Sequence, residues 1–66
     1  MKTLGDALPY EIERVQEIIK LYEEVPMGHI AAAIMKQDIQ RAHKAMMEED
    51  LVEMIAVYKD LQAYHE

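Results

Sequence analysis

The chain contains no cysteine, no serine and one threonine, Thr3. Without thiols there is no disulfide to brace the fold and no thiolate for a metal or a nucleophilic attack, and hydroxyl nucleophiles have almost no raw material either. Phenylalanine and tryptophan are missing too, and only two glycines and two prolines interrupt 66 residues. Few breakers beside abundant Ala, Met, Leu, Glu, Lys and Gln describe a helix former. The longest apolar run, Ile30 to Met35, is six residues, and the opening MKTLGDALPYE holds no apolar signal core. Neither a signal peptide nor a membrane span is expected, and a reducing cytoplasm is the compartment that fits.

Positive charge is also scarce. Seven Lys and Arg stand against thirteen Asp and Glu, a formal net charge of -6. Nonspecific attraction to nucleic acid or anionic lipid, which draws on Lys and Arg, is disfavoured by that balance. The charge is unevenly spread: Lys36, Arg41 and Lys44 oppose only Asp38 in a mildly basic middle, between two acidic flanks. Complementary packing within the chain or between copies is the simplest use of such a pattern.

What is present is apolar surface, 52% of residues, in helical register. Leu8, Ile12, Val15, Ile19 and Tyr22 recur at three and four, widened by Ile18 and Leu21, and predict a helix over about 9–24 with Pro9 in its first turn. Residues 1–7 read as a flexible tail. In EEVPMGH, Pro26 disfavours helix at Val25 and Gly28 tolerates positive φ, making a corner; a phosphate loop would need more glycines and a following Lys, Ser or Thr. Ala32, Met35, Ile39, Ala42 and Met46 give a second helix at about 29–47. Asp50 and Glu53 match a capping box ahead of a third stripe, Leu51, Met54, Tyr58 and Leu61, with Ile55 beside it, over about 51–64. Continuing the second stripe would reach Glu49 and Glu53, so a bend near Glu48 to Asp50 is expected rather than one rod. The fold class is therefore all-α: one domain over 1–66, a three-helix hairpin or bundle. So small a domain buries only about 60% of its unfolded surface and needs help, which oligomerisation would provide.

Chemistry finds little footing. His29, His43 and His65 form no pair at helical metal-ligand spacing, and no Glu-x-x-His occurs. Glu13 with Glu17, and Glu49 with Glu53, lie four apart but face away from the apolar stripes, where no pocket would tune their acidity. No enzyme, cofactor or metal is expected. The expectation is a non-enzymatic interaction module whose partners are itself and another protein. The candidate oligomer interface is Ala31, Ala32, Met35, Ile39, Met46, Met47, Leu51, Met54 and Tyr58; the candidate partner-binding face is Lys36, Gln37, Gln40, Arg41 and Lys44. The uncharged stretch VPMGHIAAAIM, Val25 to Met35, needs something to surround it. The alternatives are a small DNA-binding regulator reading through that second-helix face and an acidic decoy imitating DNA.

The segments LPYEIERVQEIIKLYEEVP, GHIAAAIMKQDIQRAHKAM and EEDLVEMIAVYKDLQ resemble a group of very short proteins encoded by bacteriophages and prophages. The resemblance rests on Leu8, Pro9, Glu11, Ile12, Arg14 and Tyr22, then the glycine corner and alanine-rich helix, then Val52, Met54 and Ile55. It implies a bacterial cytoplasm and a role as an accessory factor engaging a host or phage protein, and brings no activity with it.

Overall fold

Thr3 opens the first helix, α1 (Leu4–Glu23), in a computed structural model that describes residues 3–65. The start lies five residues before the proline at which the sequence predicts it, so residues 4–7 belong to the helix and not to a tail; residues 1 and 2 lie outside the described residues. The cause is local. Thr3 is extended, and its carbonyl accepts from the amides of Asp6 and Ala7 at 3.0 and 2.8 Å, while the Asp6 carboxylate accepts from the Thr3 hydroxyl at 3.2 Å. Leu8 is fully buried and Leu4 packs against the core, which anchors this turn. Pro9 cannot donate to the carbonyl of Gly5, but Gly5 is exposed and water can serve it.

At the corner, Val25 is extended, as the residue before a proline prefers, and Pro26–Gly28 form a single 3-10 turn leading straight into α2 (His29–Met47). Gly28 does not use the positive φ that glycine permits; its φ is -85°. It is glycine because a Cβ would lie 2.1 Å from the Tyr22 carbonyl oxygen and 2.9 Å from its carbon. The end of α1 and the start of α2 touch backbone to backbone there.

The second turn is the bend expected at Glu48 to Asp50, and it closes as a Schellman motif: the Glu49 amide donates to Met46 O at 3.2 Å and the Asp50 amide to Ala45 O at 3.0 Å. Glu49 occupies the left-handed position, φ 53°, where glycine is favoured. Asp50 then caps α3 (Leu51–Gln62), its carboxylate accepting from the Glu53 amide at 3.1 Å. The helix stops two residues short of the boundary read from the sequence, because the Ala63 and Tyr64 amides turn back to Asp60 and Leu61. Replacing Glu49 by glycine should relieve the left-handed strain and stabilise the fold by about 0.5–1 kcal/mol, read as a higher midpoint in urea.

The three helices, joined by short connections, pack against one another, each touching both others. Leu8, Val15, Ala42, Val57 and Leu61 have no exposed surface, and Ala32, Met35, Ile39 and Met54 join them. The face α3 buries is Met54, Val57 and Leu61, whereas Leu51 and Ile55 point outward. The sequence stripe had the right period but was centred a few tens of degrees off, because Leu51 and Tyr58 fit the helical spacing as well as Val57 does. Helix lengths are unequal. With 19 residues in α2 and 12 in α3, about 10 Å of α2 runs on past the end of α3.

Candidate interaction surfaces

Two residues of the polar face of α2, Lys36 and Arg41, are committed to the rest of the chain. Lys36 Nζ donates to Glu23 Oε2 on α1 at 2.5 Å, and this bond holds the Glu23 carboxyl below its ordinary acidity range. Arg41 reaches α3: Nη1 donates to Asp60 Oδ2 at 2.7 Å, Nε donates to Glu53, and Asp38 stands 3.7 Å away. The bonds to Asp60 and Glu53 hold the guanidinium still more firmly protonated. Beside this group the Tyr64 hydroxyl donates to Asp38 Oδ2 at 2.5 Å, and burial, then that bond, push its pKa up to about 12. Two of the three cations on the candidate face are thus tied to the acidic flanks within one copy. Gln37, Gln40 and Lys44 stay exposed, and among the described residues Lys44 has no ion-pair partner. One uncommitted cation is a poor footprint for phosphate recognition.

On α1, Arg14 acts as a clamp that sequence reasoning did not assign. Its Nη1 and Nη2 donate to the carbonyl oxygens of Tyr64 and Leu61, each at 2.8 Å, and its Nε donates to Glu11 Oε2 at 2.7 Å. The guanidinium fork gives Leu61 O a second donor beside the Tyr64 amide, gives Tyr64 O a donor just past the helix, and places a cation at the negative end of the α3 dipole. Tyr22 assists, its hydroxyl donating to His65 O at 3.3 Å. Arg14, held by Glu11, and Tyr22 therefore tie the end of α3 and the residues just after it to α1.

The proposed oligomer interface divides sharply. Ala32, Met35, Ile39 and Met54 are buried in the chain's own core and Ala31, Met46 and Tyr58 are half-buried; only Met47 and Leu51 are exposed. The first four are unavailable to a second copy while the fold is intact. What is available lies elsewhere. Leu21 is two turns beyond Arg14 on α1, and Ile34 two turns before Arg41 on α2; these arginines mark the sides facing α3, and α3 has ended by that level. Leu21, Val25, Met27, Ile30 and Ile34 are consequently exposed, Met27 at 92% and Ile30 at 78%. Leu21, Tyr22, Val25, Met27 and Gly28 line an open cleft of about 360 Å³ at this corner. Exposed large apolar side chains gathered at one corner are a common mark of an interaction site.

A second apolar group sits at the opposite end, on the α2–α3 turn, where Met47, Leu51, Val52 and Ile55 are exposed. All three histidines are exposed, and no cluster of three His, Asp or Glu suited to a metal ion occurs among the described residues. No helix there is long and apolar enough to cross a membrane. Comparison of the chain with protein-family models, with curated proteins and with solved structures returned no match.

Proposed function

We propose that this chain is a non-enzymatic interaction module that pairs with a second copy of itself through the apolar corner and engages another protein with the remainder of its surface. The observation that carries this reading is the uncovered end of the α1–α2 hairpin, where Met27 and Ile30 stand almost fully in water. Two further features support it. The radius of gyration is 12.0 Å, against about 10.8 Å for a compact chain of this length, so the helices cover one another incompletely. The stretch from Val25 to Met35 also carries no Lys, Arg, Asp or Glu, so two copies meet there without opposing like charges, despite a net charge of -6 on each. The likeness to phage and prophage proteins favours a bacterial cytoplasm and a host or phage protein as the other partner.

Light scattering coupled to size exclusion tests the pairing. The chain should elute at twice its 7.7 kDa, and Ile30→Glu should return it to one copy while its helix content is unchanged and its stability in urea at low concentration stays within about 0.5 kcal/mol of the parent. A parent that runs as a single copy at high micromolar concentration removes the proposal.

A further inference from the structure

The α2–α3 turn joins exposed apolar side chains to a run of acids. Met47 is 86% and Val52 80% exposed, Leu51 and Ile55 stand out beside them, and Glu48, Glu49 and Asp50 lie between. The apolar part is concave. Leu4, Gly5, Met46, Leu51 and Met54 line a cleft of about 340 Å³ between the start of α1 and the first turn of α3, with Glu49 at its edge. Its size admits one or two aliphatic side chains, and the surrounding charge selects their carrier. A second copy of this end would bring three acids against three, and an anionic lipid surface would be repelled in the same way. Of the nearby cations, Arg41 is occupied by Glu53 and Asp60, and Lys44 stands beside Glu48 and Asp50 on the other side of the turn, so among the described residues three acids face one free cation there.

We infer that this turn is a docking site for a basic amphipathic helix of a partner protein, whose apolar residues enter the cleft and whose flanking lysines or arginines meet Glu48 and Glu49. The inference rests on the reading of the chain as an interaction module, but not on self-association, since the two surfaces lie at opposite ends of α2.

The test uses a fluorescent helical peptide of leucine and lysine, with leucines at i, i+3, i+4 and i+7, and its counterpart with glutamate in place of lysine. The lysine peptide should bind the full chain with a Kd below about 100 μM, shifting amide resonances of residues 46–55 and 4–6. Glu48→Gln with Glu49→Gly should weaken it about tenfold although the second change stabilises the fold, and Val52→Ser should weaken it as well. Glu13→Gln with Glu17→Gln, which removes the same charge from the exposed face of α1, should leave it within about twofold. The site is overturned if the lysine peptide does not bind, if the glutamate peptide binds as well, or if both double variants weaken binding equally. Binding retained by the single-copy Ile30→Glu chain supports the site independently of pairing; loss in that variant alone would reassign the peptide to the corner.

Discussion

Gly28→Ala should destabilise the protein by about 3 kcal/mol or more, the largest effect expected from any one-carbon change in the chain. The added methyl would lie 2.1 Å from the Tyr22 carbonyl oxygen, and that oxygen is backbone, held by the Val25 amide at 3.3 Å as α1 ends. No rotamer change can relieve the contact. The 3-10 turn must move off α1, and α2 enters the core with it, pulling Ala32 and Met35 from their places. A domain of this length has only about 3–10 kcal/mol in hand, so a thermal midpoint lower by about 12–25 °C, or a partly unfolded chain at room temperature, is the expected reading in calorimetry. Gly5→Ala supplies the control with opposite sign. Its nearest neighbour would be Thr3 Oγ1 at 3.6 Å, an ordinary contact in an exposed first turn, and removing glycine from a helix there should raise stability by up to about 1 kcal/mol.

Arg14→Met should cost about 2–3 kcal/mol. Methionine keeps much of the aliphatic stem against the core, so the loss isolates the guanidinium. Three bonds disappear together: those to Leu61 O and Tyr64 O, and the one to Glu11. The Glu11 side chain is only 12% exposed, so its carboxylate loses its cation while poorly solvated, which is why the cost exceeds that of an ordinary surface pair. Lysine should rescue little of it, because one ammonium cannot present the planar fork that reaches two carbonyls and a carboxylate at once. Urea denaturation gives the magnitude, and hydrogen exchange gives the place: protection should fall first in the last turn of α3. If Arg14→Met instead changed the stability by less than about 0.5 kcal/mol, the guanidinium would add nothing to the hold that Met54, Val57, Leu61 and the Arg41 bonds already give α3.

Both residues illustrate what a one-dimensional reading reaches. The 29–47 helix and the bend at Glu48 to Asp50 were legible, because apolar spacing and a cap are written in adjacent residues. Gly28 was legible as a corner but not as a contact, since the atom it must avoid belongs to Tyr22. Arg14 stood out only in the resemblance, and nothing around it pointed to a clamp. Its partners are 47 and 50 residues away and are main-chain carbonyls, which every residue possesses. The early start of α1 was hidden by Pro9, a strong breaker outweighed by Thr3, Asp6 and the burial of Leu8. The interaction surfaces were legible only in part: the uncharged stretch pointed to the exposed corner, but stripe periodicity cannot separate apolar residues that fill the core from those left over when α3 ends early. Charge pattern went further, since the basic middle does meet the acidic flanks through Lys36 and Glu23 and through Arg41 with Glu53 and Asp60.

The pairing surface can be located directly by mixing isotope-labelled and unlabelled chains and recording only the nuclear Overhauser contacts that cross between copies. Cross-copy contacts among the methyl groups of Val25, Met27, Ile30 and Ile34 are expected. Contacts confined to Met47, Leu51 and Val52, or none in a sample concentrated enough to saturate any association, would contradict the assignment of the corner as the face that a second copy covers.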